Sequence, residues 1–134
     1  MSLLTTAFVF PGQGSQVVGM GRDAAAAFPA ANRVFEEAND ILGTSISSLC
    51  FFGPEEELNN TFNTQPALFV TSIAILRVLE TEIPDIRPVF YAGHSLGELT
   101  ALTAAGAMSF VDGLRLVRER GRLMEAAGNE NPGA

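Results

Sequence analysis

The segment from residue 66 to residue 79 constrains the fold of this 134-residue chain more than any other. It is apolar nearly all round, with only three polar interruptions. A helix with apolar residues on every face must be covered on more than one side, so it belongs between the layers of a packed core. The stretch is also too short to span a bilayer. The sequence therefore predicts a buried core helix over residues 67–79, opened by Thr64, Gln65 and Pro66.

Two short apolar runs are typical of buried strands. Residues 7–10 end at a glycine-rich turn, and residues 89–92 precede a second glycine-rich turn. Because helical patterns separate the two runs, we predict an α/β fold with a parallel sheet. Two strands make a narrow sheet with open edges, so we expect one segment of a larger α/β body that exposes apolar surface.

The charged residues and the single cysteine and histidine exclude several classes of function. Fifteen acidic residues outnumber eight basic ones, all arginine, for a net charge of −7. Without lysine there is no Walker-type phosphate loop or Schiff base, and without a basic patch we expect no nucleic-acid partner. No targeting segment is evident, so we expect no membrane partner. The lone Cys50 indicates a cytoplasmic setting, and the lone His94 leaves no ligand set for a metal.

The most specific motif is the run Gly-His-Ser-Leu-Gly at residues 93–97, between a predicted strand and a predicted helix. In a strand–turn–helix elbow, the central serine sits on a tight turn with its hydroxyl at the end of the sheet. The flanking glycines allow the close backbone approach that such a turn needs. The amide of Leu96 can donate to an oxyanion. The pattern predicts Ser95 as a nucleophile, and the competing interpretation is a plain glycine-rich turn into a helix.

His94 is a poor candidate for the general base of Ser95. Adjacent residues in such a turn point their side chains in different directions, and a base must come within about 2.6–3.2 Å of the hydroxyl. We therefore expect His94 to pack or hydrogen-bond beside the elbow. The chain then contains no histidine base, and a serine without a base is a weak nucleophile.

A glycine-rich loop follows the first predicted strand, at residues 10–16. A dinucleotide-binding fingerprint would need glycine where Val17 stands, so that interpretation fails. We expect the loop to lie at the same sheet edge as the elbow, where it can bring an amide towards a reacting carbonyl. Gln13, between two glycines, is the residue that we expect to face the site. A plain turn remains the alternative.

The last predicted helix starts at Ser109, which has capping-box spacing with Asp112, and ends after Ala127. Its arginines differ in their surroundings. At about 100° per residue, Arg120 alone falls among the apolar residues. The other arginines form an outer cluster, where Glu119 can pair with Arg115 at i, i+4. The guanidinium of Arg120 must extend to solvent, pair with an acid of the chain, or clamp a substrate carboxylate.

Four motifs, in this order and at these spacings, resemble the malonyl-CoA:acyl-carrier-protein transacylase family over essentially the whole chain. They lie at residues 8–16 with 18–21, 64–68, 92–98 and 117–124. The resemblance implies a large α/β-hydrolase-like subdomain with a parallel sheet and a small ferredoxin-like subdomain. It also implies transfer of a malonyl group from malonyl-CoA to the phosphopantetheine thiol of acyl carrier protein through an acyl-serine, in fatty-acid biosynthesis. We expect no cofactor.

The family's site residues carry over by position. Ser95 resembles the nucleophile, and Gln13 with the Leu96 amide resembles the oxyanion hole. Arg120 resembles the arginine that holds the malonyl carboxylate. The substrate-site lining is matched by Gln65 and by the elbow histidine, His94.

Members of the family are longer than this chain, and their base histidine and small subdomain lie beyond residue 134. We therefore expect residues 1–134 to be the N-terminal part of the large subdomain, with the C-terminal half of the enzyme as a partner. Two alternatives remain open, a catalytically inert fragment or scaffold and a segment of a polyketide-synthase-type acyltransferase. Arg120 and the glycine-rich loop disfavour a simple serine esterase, and Leu96 favours a malonyl group.

Overall fold

In the computed structural model of the chain, residues 6–133 are described, and expectations that concern residues 1–5 and Ala134 lie outside them. The described residues contain two strands and seven helices. In chain order these are β1 (Ala7–Phe10), α1 (Arg22–Ala27), α2 (Pro29–Leu42), α3 (Ile46–Phe52), α4 (Glu55–Leu58), α5 (Thr61–Glu82), β2 (Phe90–Gly93), α6 (Leu96–Ala104) and α7 (Phe110–Glu130). The predicted α/β class is confirmed.

The two strands pair in parallel, with Ala7 opposite Phe90 and Phe10 opposite Gly93. Because both strands run in the same direction, their carboxyl ends meet at one edge of the sheet. The glycine-rich loop leaves β1 at that edge, and the turn that carries Ser95 leaves β2 there. The prediction that the loop and the serine share a sheet edge is confirmed.

The core is built around α5. Its residues 64–71 are all buried, and Phe69 and Ile73 are fully inaccessible to solvent. α2, α3, α6 and α7 pack against it. Burying a large apolar side chain contributes about 1.5–3 kcal/mol relative to leaving it exposed. The predicted core helix is therefore confirmed, together with the reason for its apolar character.

The start of α5 differs from the prediction. The helix begins at Thr61, about one turn early, because the side chain of Asn60 caps it and accepts from the N–H of Phe62 at 3.0 Å. Pro66 therefore lies inside the helix, where its missing N–H leaves the carbonyl of Phe62 without its helical donor. Arg118 on α7 donates to that carbonyl at 2.9 Å. A tertiary hydrogen bond thus satisfies the group that the internal proline leaves free.

Three further details correct the prediction. β2 is shifted by one residue from the predicted run 89–92, and α7 continues to Glu130 instead of ending after residue 127. Glu119 pairs with Arg122 and not with Arg115, and Arg122 Nε donates to its carboxylate at 2.8 Å. The i, i+3 partner also lies on the same helix face, so either pairing was compatible with the helical period.

Apolar side chains of the sheet remain exposed. Val9 is 73% and Phe90 is 70% accessible to solvent. Beside β1, an apolar groove of about 400 Å³ reaches α5 and is lined by Phe8, Ile75 and Leu79 among others. The expectation that so narrow a sheet exposes apolar surface is confirmed.

By length and composition alone, α5 is the one helix of residues 6–133 that could cross a membrane. The prediction that this stretch is too short to span a bilayer is wrong for the helix as a whole, because α5 extends beyond residues 66–79 at both ends. Its most apolar window is 61% buried inside the structure. Burial on several sides is typical of a core helix, so the feature is weak evidence for a membrane span.

Candidate active site

Ser95 lies on the turn between β2 and α6. β2 ends at Gly93 and α6 begins at Leu96, so the predicted strand–turn–helix context is confirmed. The backbone angles of Ser95 are φ 55° and ψ −110°, and it is the one non-glycine residue with positive φ in the described chain. Such a conformation costs about 1–3 kcal/mol, so the surrounding structure must impose it. This strain is typical of the serine in a nucleophile elbow.

Three glycines let the backbone around the serine pack more closely than any side chain would permit. A Cβ on Gly93 would overlap the backbone of Gly97, and a Cβ on Gly97 would overlap the carbonyl oxygen of Phe10. These contacts confirm the predicted reason for the flanking glycines. A Cβ on Gly12 would lie 2.5 Å from the carbonyl oxygen of His94. This third close approach, which was not predicted from the sequence, joins the glycine-rich loop to the elbow.

The hydroxyl of Ser95 contacts a charged side chain. Arg120 Nη2 donates to Ser95 Oγ at 3.0 Å, and Nη1 of the same guanidinium donates to Gln65 Oε1 at 2.8 Å. α7 supplies the arginine, α5 the glutamine and the elbow the serine. The structure therefore brings together three of the residues singled out in the sequence.

Gln65 holds the guanidinium from a fully buried position. Its Nε2 lies 3.0 Å from Met124 Sδ, so its carbonyl oxygen faces Arg120. An amide turned the other way would set its donors against those of the guanidinium, which fixes its orientation. Met124 lies on α7 with 44% of its surface exposed, and its sulfur packs at the edge of the site.

Arg120 has no carboxylate partner in the part of the chain that the structure describes. The ion pairs there join Arg77 with Glu80 and Arg122 with Glu119. The alternative of an internal ion pair for Arg120 is therefore excluded among these residues. Instead, a half-buried cation meets two neutral oxygens, and it keeps its capacity to bind an anion through charge-assisted hydrogen bonds.

Within residues 6–133, neither a histidine nitrogen nor a carboxylate hydrogen-bonds to Ser95 Oγ. The backbone N–H of His94 donates to the carbonyl of Phe10 at 3.2 Å, and its exposed ring lies beside Gly12. The expectation that His94 packs next to the elbow is confirmed. These residues thus supply a hydroxyl with a cationic neighbour and no general base.

Two backbone amides near the elbow are free to donate. Leu96 is the first residue of α6, where an N–H has no helical acceptor, and it makes no other hydrogen bond among the described residues. The side-chain amide of Gln13 donates to Thr61 Oγ1 at 3.1 Å. Its backbone N–H has no acceptor within the same part of the chain. The backbone N–H of Gln13 is therefore available to donate.

Side-chain hydrogen bonds that no sequence motif indicated tie the glycine-rich loop to the start of α5. Thr61 binds Gln13, and Asn59 Oδ1 accepts from Gln16 Nε2 at 2.9 Å. Gln16 Oε1 in turn accepts from the backbone N–H of Gly14 at 2.8 Å. The two ties join residues 48 and 43 positions apart, so no local pattern could have revealed them.

The described residues bring together no group of three or more His, Cys, Asp and Glu side chains. Cys50 is buried on α3, where Thr71 Oγ1 donates to its sulfur at 3.8 Å. Burial raises the pKa of the Cys50 thiol to about 11. At neutral pH Cys50 is therefore a protonated structural thiol and not a second nucleophile.

Comparison with known proteins shows the family. Residues 7–134 match the family described as the acyl transferase domain, and the chain belongs to that family. A relative from Bacillus subtilis (strain 168), named malonyl CoA-acyl carrier protein transacylase, is 52% identical over 128 residues. That match covers 96% of this chain and 40% of the relative. The resemblance predicted from the four motifs is confirmed.

Solved structures agree in fold. Acyl-carrier-protein-S-malonyltransferase from Bartonella henselae superposes with a TM-score of 0.89 and 48% identity, over 92% of this chain and 40% of that one. A malonyl-transacylase solved in complex with a type II PKS acyl-carrier protein gives 0.87 and 50%, again over 92% and 40%. The chain thus spans about 40% of the length of the relatives that it matches.

Proposed function

We propose that this chain is part of an acyltransferase that moves a malonyl group from malonyl-CoA to the phosphopantetheine thiol of acyl carrier protein. The intermediate is an ester of the malonyl group with Ser95. One observation carries the proposal: the bond from Arg120 Nη2 to Ser95 Oγ places beside the reactive hydroxyl a guanidinium that has no acidic partner within residues 6–133. The names of the relatives support the malonyl group and the carrier protein.

In the first half-reaction, Ser95 Oγ attacks the thioester carbonyl of malonyl-CoA and its proton passes to a general base outside the described residues. The C–S bond then breaks, and the base returns the proton to the sulfur of the departing coenzyme A. Negative charge develops on the carbonyl oxygen, where the backbone N–H groups of Leu96 and Gln13 form the oxyanion hole. The N-terminus of α6 adds its partial positive charge.

In the second half-reaction, the pantetheine thiol gives its proton to the same base and its sulfur attacks the acyl-serine. The C–O bond breaks, and Ser95 recovers a proton from the base. Throughout, the malonyl carboxylate is held by Arg120, whose guanidinium can make two parallel hydrogen bonds to it. Gln65 orients that guanidinium, and His94 lines the site beside the elbow.

The rest of the proposal concerns the whole enzyme. Residues 1–134 would form the N-terminal part of an α/β-hydrolase-like large subdomain. The general base and a ferredoxin-like small subdomain would come from the remaining length of a longer protein. The exposed apolar faces of the sheet and the matched share of about 40% of each relative support this arrangement. We propose a cytoplasmic enzyme, in keeping with the one cysteine of these 134 residues, Cys50, which is a buried free thiol.

The setting that we propose is fatty-acid biosynthesis, and polyketide biosynthesis is a second candidate. The observation in its favour is the similarity to a malonyl-transacylase solved with a type II PKS acyl-carrier protein. The chemistry at Ser95 is the same in both settings, and only the carrier protein differs. Malonyl transfer to a fatty-acid carrier and to a polyketide carrier, measured side by side, would separate them. The carrier with the higher kcat/KM identifies the pathway.

Intact-mass analysis of the full-length enzyme after incubation with malonyl-CoA tests the role of Ser95. We expect a malonyl adduct on the wild-type protein and none on Ser95→Ala. An adduct that persists in Ser95→Ala would disprove the assignment. A wild-type protein that forms no adduct would favour the inert fragment or scaffold.

Arg120→Ala tests the carboxylate clamp. Loss of a charge-assisted contact costs about 1.5–3 kcal/mol, so malonyl transfer should fall on the order of 10- to 100-fold. Acetyl transfer, which needs no clamp, should be kept or increased. The control is Arg122→Ala, which removes a surface ion pair with Glu119 and should alter neither rate. Equal losses for both substrates would mean that Arg120 is structural.

A further inference from the structure

The seam between α5 and α7 is unusually close at Gly121. A Cβ there would lie 3.1 Å from the carbonyl oxygen of Thr61, so the two helices approach nearly backbone to backbone. Around this point α7 buries Val117 and Gly121 against its neighbours. At about 100° per residue, Arg118 and Arg120 fall on opposite flanks of that buried stripe. The two arginines therefore reach α5 from either side of the seam.

On one flank, Arg118 donates to the carbonyl of Phe62, which Pro66 leaves without a helical donor. Arg118 Nη1 donates to the carbonyl of Phe62 at 2.9 Å and approaches Asn63 Oδ1 at 3.5 Å. Its guanidinium also stacks on the ring of Phe62, with 4.0 Å between Cζ and the ring centroid. Burial lowers the pKa of Arg118. Stacking, a hydrogen bond and partial burial together hold this side chain in one orientation.

On the other flank, Arg120 makes the two bonds on which the proposed site depends. Its Nη1 and Nη2 donate to Gln65 and to Ser95. Both hydrogen bonds form together only when α7 is in one orientation about its own axis. Leu114 and Val117 pack α7 into the core, but at Gly121, next to Arg120, no side chain interlocks with α5. The hydrogen bond from Arg118 to Phe62, on the opposite flank, can fix the orientation of α7 at this point.

We propose that Arg118 is a positioning residue of the transacylase site: it replaces the N–H that Pro66 lacks and thereby holds Arg120 against Gln65 and Ser95. The consequence for malonyl transfer rests on the proposed function. The coupling between Arg118 and Pro66 does not, since it follows from the hydrogen bond to Phe62 alone.

The role of Arg118 can be tested in a protein that carries Pro66→Ala. It restores an N–H one turn after Phe62, so the carbonyl regains a helical donor and no longer needs Arg118. The test is a double-mutant cycle in the full-length enzyme, with Arg118→Met, Pro66→Ala and both together. Methionine keeps much of the apolar stem of Arg118 and removes every donor. Rates with malonyl-CoA and acetyl-CoA and the urea midpoint are measured for each protein.

In the wild-type background, we expect Arg118→Met to lower kcat/KM for malonyl-CoA on the order of 10-fold, and that for acetyl-CoA by less than about 3-fold. Pro66→Ala alone should lower malonyl transfer by a similar factor, because the restored helical N–H takes the carbonyl to which Arg118 is bound. In that background, adding Arg118→Met should change either rate by less than about 3-fold. Arg118→Met should also lower the urea midpoint less in the Pro66→Ala background than in the wild-type background. A protein with Arg118→Met that folds only in combination with Pro66→Ala would support the proposal as well.

Two further variants separate positioning from a general role in folding. Arg118→Lys can still donate to Phe62 and should restore most of the preference for malonyl over acetyl. Arg115→Met, on the exposed side of the same helix, is the matched control and should change neither rate. Equal effects of Arg118→Met in both backgrounds would overturn the proposal. If Arg120→Ala leaves the malonyl preference intact, the proposed function fails, and additive urea midpoints would separately overturn the coupling.

Discussion

The elbow and the α5–α7 seam place their functional groups by different means. At the elbow, Gly93 and Gly97 leave no space for a side chain, and the backbone itself holds Ser95 at φ 55°. At the seam, hydrogen bonds between side chains hold Arg120 on Gln65 and on the serine. The hydroxyl therefore depends on steric exclusion, which tolerates no added atom. The guanidinium depends on polar contacts, which other polar groups can replace.

Gly97→Ala should have the largest effect. A Cβ at this position would overlap the carbonyl oxygen of Phe10, and the overlap can be relieved only by moving β1 away from α6. We expect the full-length enzyme to lose more than about 4 kcal/mol of unfolding free energy, or to be insoluble. Urea unfolding followed by circular dichroism measures it. A stability close to that of the wild type would refute the steric account of the elbow.

Gln65→Glu should affect the chemistry of the seam and spare the fold. A carboxylate in place of the amide would pair with Arg120 and compete with the malonyl carboxylate for its donors. We expect kcat/KM for malonyl-CoA to fall on the order of 10- to 100-fold, with acetyl transfer nearly unchanged. Steady-state rates with both thioesters provide the measurement. Malonyl transfer at the wild-type rate would show that Gln65 does not orient the clamp.

The reactivity of Cys50 measures how well α3 is packed against α5. Because burial raises its pKa from 9.0 to about 11, its thiolate fraction near pH 8 should be about 100-fold below that of an ordinary thiol. Iodoacetamide labelling followed by mass spectrometry should therefore be slow in the folded enzyme and fast in urea. Since the unfolded thiol ionises first, stability should decline as the pH rises from about 9 towards 11. Equal labelling rates in both states would contradict the burial.

A pair of glycines on α7 should show the smallest effects. At Gly121 a Cβ would lie 3.1 Å from Thr61 O, so Gly121→Ala should cost about 1–2 kcal/mol despite its better helix propensity. At Gly128 a Cβ would meet no atom within 4 Å, so Gly128→Ala should stabilise by about 0.5–1 kcal/mol. Urea midpoints of the two variants give the comparison. Equal shifts would mean that the seam is not close-packed.

Much of the fold could be predicted because its signals are local. Gly43 ends α2 with φ 67°, and Ser109 Oγ accepts from the N–H of Asp112 at 3.1 Å, as the capping-box spacing predicts. The start of α5 could not be predicted in the same way. Pro66 was expected near the helix start. It lies inside α5 instead, where the carbonyl of Phe62 finds its donor in Arg118, a residue 56 positions away in the sequence.

The sequence by itself determined the local backbone and the face on which each side chain lies. Glycine spacing around Ser95 specified the elbow, and the helical period placed Arg120 apart from the other arginines. Only the tertiary structure decided what these side chains touch. Arg120 meets oxygens 55 and 25 positions away, and the amide of Gln65 faces a sulfur 59 positions away. Steric and helical preferences act over a few neighbouring residues, whereas such contacts exist only once whole helices have packed.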